Sequence, residues 1–188
     1  MNYREVTVTG EYTARLETGA DWRAEIETLA ADVDAEAGWF TALGSVEDAE
    51  IWFYDQDDGE YQSVDFEEPL EVAACVGNVS LLEGELFAHT HAVLSRPSGQ
   101  AIAGHLNQAT VFAGELYFRA FEEPLARDYD EATALDLWPC AKRVIRTATA
   151  TLTPPRATRP TPTATPGRPV RPTPPRTRPN ADSNYDAF

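Results

Sequence analysis

The distribution of proline is the feature of this chain that most restricts how it can fold. Ten of the 14 prolines lie beyond residue 150, in a stretch made mainly of Arg, Pro, Thr and Ala. Such a stretch buries too little apolar surface to offset the entropy lost on ordering, and its prolines favour the extended polyproline II conformation. We therefore predict one folded domain over residues 1–140 and a disordered tail over residues 141–188.

The two parts of the chain carry opposite charges. Residues 1–140 contain 29 Asp and Glu against six Arg, a formal charge of −23, whereas residues 141–188 contain nine basic residues against two Asp, a formal charge of +7. A strongly acidic surface with a single lysine, Lys142, is typical of a protein adapted to concentrated salt, where a Debye length of roughly 3 Å at 1 M screens self-repulsion. In dilute salt the same charge would oppose phosphate binding by the domain.

Residues 21–36 have the periodicity of an amphipathic helix. Apolar residues recur at i, i+4, i+7, i+8 and i+11, and acidic residues occupy the opposite face. The apolar positions are Trp22, Ile26, Leu29, Ala30 and Val33. Gly38 is placed to end the helix in a left-handed cap. We expect this helix to lie on a sheet with its tryptophan side inward.

Most of the remaining domain has the patterning of β-strands. Period-two apolar runs lie on both sides of Gly10, and β-rich segments occupy residues 49–54, 61–66, 70–76 and 109–121. Residues 55–59 form a turn between the first two of these segments. The pattern predicts an α+β fold with a largely antiparallel β-sheet and one principal packed helix.

All three histidines of the chain fall within 17 residues, at His89, His91 and His105. Residues two apart on a strand share a face, so the first two would project together from a strand over residues 86–95. Proline and glycine in residues 96–100 predict a hairpin turn, and residues 101–106 would be the returning strand. If the hairpin is centred on residue 98, the second and third histidines lie directly opposite each other, with the first as their diagonal neighbour.

This pairing would bring three imidazoles to one metal ion. Opposed Cβ atoms lie roughly 4.5–5.5 Å apart, which allows ring nitrogens to share an ion at the roughly 2.0–2.1 Å of zinc ligation. The alternative is that each histidine is an ordinary core or surface residue. Three histidines on one face would repel each other when protonated and lack partners when buried and neutral, and a divalent cation removes both problems. We predict a divalent metal site, with zinc as the ion, at His89, His91 and His105.

Cysteine content and hydropathy indicate the compartment. Cys75 and Cys140 are too few and too unpatterned for a disulfide framework or a thiolate metal site, which fits a reducing cytoplasm. The first five residues contain no apolar signal region, and no stretch reaches the 18 or so apolar residues that a membrane span needs. We expect a cytoplasmic protein without a membrane partner.

A family resemblance is carried by the segment around the histidines. Residues 77–94 contain Gly-Asn-x-Ser-Leu and then His-x-His, and Gly-His-Leu at residues 104–106 follows. With Glu115, residues 38–45 and residues 129–131, these motifs resemble the PPC (plants and prokaryotes conserved) domain family over residues 3–138. The resemblance implies an α+β fold with a largely antiparallel sheet and a packed helix, assembled as a homotrimer.

The resemblance also implies a role at DNA. Plant members of the family join this domain to AT-hooks and act as nuclear DNA-binding regulators, while some free-standing prokaryotic members look like metal proteins through the matching histidines. This chain has Ala103 where the family has glycine, and its tail offers Pro-Gly-Arg-Pro at residues 166–169 where the AT-hook core is Arg-Gly-Arg-Pro. One of the two minor-groove arginines is therefore missing. The candidate DNA contacts are Arg168, Arg171, Arg176 and Arg178, and the alternatives are a solvated linker or out-of-frame translation after residue 140.

Two functions of different classes fit these observations. The first, which the resemblance favours, is a trimeric, DNA-associated regulatory protein without enzymatic activity that carries a three-histidine metal site. The second is a zinc-dependent enzyme or small-molecule-binding protein, because three His ligands leave a fourth position open and Glu115 or Glu85 could act as a general base. A purely structural metal is a third possibility. The absence of a metallohydrolase signature weighs against an enzyme.

Overall fold

The computed structural model describes residues 3–139, so Cys140 and the predicted tail lie outside the described residues. The described chain is mostly antiparallel sheet with one α-helix. Its elements are β1 (Val8–Leu16), α1 (Trp22–Asp32), β2 (Gly38–Asp55), β3 (Glu60–Phe66), β4 (Leu70–Leu82), β5 (Glu85–Ser95), β6 (Ala101–Phe121), β7 (Asp128–Asp130) and β8 (Leu135–Leu137). The predicted α+β class with a largely antiparallel sheet and one packed helix is confirmed.

Four strands form a closed ring of antiparallel pairings. β2 pairs with β6 and β4, and β5 pairs with both β4 and β6. β1 continues the sheet along β6, and β3 continues it along β2, while β7 and β8 form a separate two-stranded sheet. The ring has an inner face that holds the core and an outer face that is partly exposed.

Two strands are longer than the sequence pattern predicted. Residues 101–106 and 109–121 were predicted as separate strands, but both belong to the 21-residue β6. The predicted strand over residues 70–76 likewise extends to Leu82 in β4. Polar residues such as Gln108 break the apolar alternation without ending a strand, because the β2–β6 ladder continues across them with local register shifts.

The helix occupies the predicted segment but ends earlier. Asp21 caps its N-terminus by accepting a hydrogen bond from Ala24 N, at 2.9 Å. The left-handed residue that ends it is Asp34, with φ 54°, so the prediction that Gly38 forms this cap is wrong. The N–H of Asp34 donates to Ala31 O, and that of the next residue donates to Ala30 O, which is a Schellman motif. Gly38 instead starts β2, where a Cβ would overlap the Phe118 ring.

The core lies between the helix and the inner face of the ring. Trp22, Ile26 and Ala30 of α1 are completely buried, as are Phe40 of β2 and Phe118 of β6. The predicted inward face of the helix is therefore confirmed. None of the helical structure in residues 3–139 is long and apolar enough to cross a membrane.

Candidate metal centre

The β5–β6 hairpin has the register that the sequence predicts. Its loop is closed by the bonds from Arg96 N to Gln100 O, 3.0 Å, and from Gly99 N to Arg96 O, 2.8 Å, with Gly99 at φ 79°. His91 lies directly opposite His105 in the ladder. Glycine adopts a positive φ without the steric strain that other residues have there, which explains why the turn lies at this position.

The three histidine side chains converge on one point of the outer face. One ring nitrogen from each of His89, His91 and His105 lies within 4.8 Å of the other two. The Nε2 atoms of His89 and His91 are 3.3 Å apart, and the three ring centroids are separated by 5.1–5.5 Å. His105 is buried, His89 is partly buried and His91 is exposed. The cluster therefore has a buried side, at His105, and a solvent-exposed side, at His91.

The spacing of the ring nitrogens fits a tetrahedral metal ion. Two ligands at 2.0–2.1 Å from zinc in tetrahedral geometry are separated by roughly 3.3 Å, which is the distance between the Nε2 atoms of His89 and His91. The third nitrogen comes from His105 and lies within 4.8 Å of the other two, so all three can ligate one ion once the spacing closes to roughly 3.3 Å. No carboxylate of the described residues joins this group. Three imidazoles would leave the fourth position of a tetrahedral ion open.

Burial keeps the imidazoles neutral. Burial, together with the positive charge of Arg127, lowers the pKa of His89 to about 3. Burial also lowers the pKa of His105 to about 4, with His91 as a secondary cause, and lowers that of His91. A neutral imidazole has a lone pair available for a metal, so ligation near neutral pH does not require a proton to be displaced.

An ion pair from the helix supports the strand that carries His89. The β5–β6 ladder ends at His91, and the two strands diverge beyond it. Arg23 fills the gap, since its Nε donates to Ala88 O at 3.1 Å and its Nη1 to Asn107 O at 3.0 Å. Glu27, 3.6 Å from Arg23, accepts from Ala88 N at 2.9 Å. The backbone N–H and C=O of Ala88, next to His89, therefore both have hydrogen-bond partners although β6 no longer pairs with β5 there.

A second arginine reaches the histidines from the end of the domain. Residues 125–127 dock beside β4, where Leu81 N donates to Leu125 O and Arg127 N donates to Leu81 O. The Arg127 guanidinium donates to Asn78 Oδ1 and to Ser80 Oγ, both at 2.9 Å. Asn78 is the direct ladder partner of His89. The guanidinium therefore lies over the same outer face as the histidines.

Aromatic rings border the histidine cluster on two sides. Trp52 of β2 is the ladder partner of His105, with ring centroids 6.1 Å apart. Tyr61 of β3 lies 5.8 Å from the His105 ring and 5.2 Å from Trp52. On the other side, the Phe87 ring stacks on His89 at 6.3 Å. The open side of the cluster is therefore bordered by apolar surface.

The other predicted site residues lie elsewhere. Glu115 is on the outer face of β6, opposite Leu43 of β2, and it lies ten residues, or roughly 33 Å along the strand, from His105. Glu85 is exposed at the start of β5, four residues before His89. Neither carboxylate joins the histidine group, so the structure gives no support for either as a base at this site. Arg168, Arg171, Arg176 and Arg178 lie outside the described residues.

Several residues around the cluster were not anticipated from the sequence, among them Arg127, Asn78 and Trp52. Arg127 had a usable signal, because it is one of only six arginines in a strongly acidic segment. Asn78 also had one, as a polar residue within an apolar strand. Trp52 had no usable sequence signal, because nothing in its local sequence indicates that it lies beside a histidine 53 residues later.

Comparison with protein families gives one match over most of the domain. A model described as the Plants and Prokaryotes Conserved (PCC) domain matches residues 3–122. No curated protein matches the chain significantly. The PPC resemblance noted in the sequence is thus supported by an independent comparison.

Several solved structures share the fold. A protein of Archaeoglobus fulgidus described as metal-containing is 35% identical, with a TM-score of 0.71 over 74% of this chain and 99% of its own. A PPC protein of Pyrococcus horikoshii is 24% identical, with a TM-score of 0.71 over 76% and 99%. A candidate DNA-binding protein of Bacteroides thetaiotaomicron is 19% identical, with a TM-score of 0.65 over 72% and 97%.

Proposed function

Because this chain belongs to the Plants and Prokaryotes Conserved (PCC) domain family, we propose that it is a metal-binding member of that family. One divalent ion, with zinc as the preferred species, would be held by His89, His91 and His105. The observation that carries this proposal is the convergence of the three ring nitrogens within 4.8 Å. The similar Archaeoglobus protein is described as metal-containing, which agrees with it.

The surroundings favour a site that binds a further ligand over a purely structural one. Structural zinc sites are closed by four protein ligands, whereas three ligands leave a position for water or another molecule. Here three imidazoles converge beside an exposed edge, and His91 itself is exposed. A bound ion would supply Lewis acidity at that position. The protein groups would supply orientation, through Arg127 on one side and Trp52 on the other.

Metal analysis of untagged protein tests this function. We expect about one zinc per chain after purification, because three neutral imidazoles already converge within 4.8 Å of one another. Removal of the metal with a chelator should lower the melting temperature and added zinc should restore it, since a ligand at roughly 100 times its dissociation constant stabilises by about 2.7 kcal/mol. Protein that contains no metal and shows no zinc-dependent melting shift would contradict the proposal.

We further propose that the chain assembles as a homotrimer through the outer face of the sheet. Tyr117, Thr41, Val76 and His91 form one continuous row across β6, β2, β4 and β5. Several apolar side chains near this row are more than a third exposed, including Leu43 at 55% and Val76 at 41%. A contiguous apolar face of this kind typically marks an interface, and it extends to the histidine site.

Light scattering coupled to gel filtration tests the assembly. The wild-type chain is expected to elute with about three times its monomer mass of 20.7 kDa, and Val76→Glu is expected to yield monomers because it places a charge in the apolar face. Val64→Glu is the matched control, since Val64 is 53% exposed on β3. A monomeric wild type, or dissociation by both variants alike, would argue against this interface.

For DNA, we propose that the tail arginines, and not the acidic domain, make any phosphate contacts. The DNA-binding names belong to proteins that share only 19% and 23% identity with this chain. Residues 1–140 carry a formal charge of −23, which repels phosphate in dilute salt. Arg168, Arg171, Arg176 and Arg178 are the remaining candidates for such contacts.

Gel retardation with a duplex separates the two parts of the chain. At low salt we expect the full chain to retard DNA and a chain truncated after Cys140 not to do so. The truncation removes residues 141–188, which carry a formal charge of +7. Retardation should weaken steeply as salt rises. Binding by the truncated chain would place the contacts on the domain, and binding by neither would remove the DNA hypothesis.

A further inference from the structure

Arg127 carries a charge that the protein does not neutralise with an ion pair. Its guanidinium donates to Ser80 Oγ, Asn78 Oδ1 and Asp136 O, each at 2.9 Å. Asp136 contributes its main-chain oxygen, and within residues 3–139 no carboxylate oxygen lies within ion-pair distance of Arg127. By contrast, Arg23 is paired with Glu27. Arg4 and Arg15 also make no ion pair within the described residues, but both are exposed, whereas Arg127 is partly buried and is held only by neutral acceptors.

The three hydrogen bonds orient the guanidinium but do not use all of its donors. Arginine has five N–H groups, and the observed bonds engage Nε once and each terminal nitrogen once. One N–H on each terminal nitrogen is therefore left for another acceptor. These N–H groups can donate charge-assisted hydrogen bonds to an oxygen of a bound anion.

The guanidinium lies beside the histidine cluster. Its Cζ is 5.3 Å from the Phe87 ring centroid, and that ring is 6.3 Å from His89. Asn78, which accepts from Arg127, is the direct ladder partner of His89. The two groups therefore share one face of the sheet, and the Phe87 ring lies against both.

The positive charge of the metal-loaded site favours an anionic ligand. Three imidazoles that ligate a divalent ion add no charge, so the ion and Arg127 together carry +3 unless a ligand compensates them. No carboxylate of the described residues joins the histidine group. The domain as a whole is strongly acidic, so a singly charged carboxylate suffers less repulsion on approach than a doubly charged phosphate.

The aromatic wall indicates the rest of the ligand. Trp52 and Tyr61 lie against His105 with centroid distances of 6.1 and 5.8 Å, and Tyr61 is 43% exposed. A flat apolar group next to the bound anion would pack on these rings. An inorganic anion would leave them in contact with water.

We propose that the site binds a small organic carboxylate between the histidine-bound metal and Arg127. One carboxylate oxygen would occupy the open metal position and the other would accept from Arg127, while the apolar part of the ligand packs on Trp52 and Tyr61. This inference rests on the proposed metal function and names the class of ligand that the same site takes.

Cobalt-substituted full-length protein provides the test, because the visible spectrum of Co²⁺ reports on its fourth ligand. Benzoate is the probe and is expected to change the spectrum in a saturable manner. Arg127→Met should still bind cobalt but should weaken benzoate by about tenfold, the loss expected for charge-assisted hydrogen bonds. Arg96→Met, which removes an equal charge from the Glu68 ion pair on the hairpin loop, is the matched control and should leave benzoate affinity unchanged.

The outcomes separate this inference from the metal function. If cobalt binds and benzoate has no effect, the carboxylate site is wrong and the metal site stands. If cobalt does not bind the wild type, the metal function itself fails. Tighter binding of inorganic phosphate than of benzoate, or equal losses in Arg127→Met and Arg96→Met, would also overturn the inference. If Arg127→Met does not fold, Arg127→Lys is the deciding variant. It keeps the charge but lacks the planar guanidinium that Ser80 and Asn78 orient, and an unchanged benzoate affinity would contradict the proposal.

Discussion

His105→Ala is expected to lose stoichiometric zinc. His105 is the buried member of the cluster and holds its position between His91 on one neighbouring strand and Trp52 on the other. Removing it leaves two ligands, so we expect affinity to fall by more than the roughly 10–100-fold that loss of an outer partner of a metal ligand costs. Metal analysis after dialysis against a fixed free zinc concentration measures the effect.

Two further variants make this result specific. His91→Ala removes an exposed ligand and should also lose zinc, although the metal-free stability should change little because its side chain is exposed. Gln108→Ala, at an exposed position of the same strand β6, should keep both zinc and stability. If His105→Ala retained one zinc per chain, the three-histidine assignment would be wrong.

Phe118→Ala should cause a large loss of stability. Phe118 is completely buried in β6, where it contacts Gly38 so closely that a Cβ at that position would overlap its ring. Truncating such a side chain removes apolar contacts and leaves a cavity, and typically costs about 3–5 kcal/mol. Since whole domains are stable by roughly 5–15 kcal/mol, this variant is expected to unfold at far lower urea concentration.

Phe112→Ala is the control, because Phe112 is 60% exposed on the same strand. Its truncation should change stability by no more than about 0.5 kcal/mol. Both variants should be compared in the presence of chelator, so that metal binding does not contribute to the unfolding free energy. Equal losses at the two positions would show that burial within β6 does not decide stability.

Local sequence patterns predicted which elements form more accurately than where those elements end. The inward face of α1 followed from apolar spacing alone, yet the helix ended at Asp32 and its left-handed cap fell at Asp34 instead of Gly38. An aspartate can adopt that conformation, and the Schellman bonds compensate its cost. Gly38 was needed for close packing against Phe118, a requirement that no local pattern reveals.

The histidine cluster was predictable because its geometry is local. The turn residues 96–100 determine the register of the β5–β6 hairpin, and that register places His91 opposite His105. The alternation of a strand then places His89 on the same face. All of this information lies within 17 residues of sequence.

The sequence by itself determined the fold class, the inward face of the helix and the three-histidine cluster, because each depends on periodicity or on a short turn. Only the tertiary structure decided what surrounds the cluster. Trp52 reaches His105 through the β2–β6 ladder, and Arg127 reaches His89 through docking of residues 125–127 beside β4. The physical reason is that the register between strands distant in sequence is selected by packing of the whole core, and this selection leaves no local signal at the residues that it brings together.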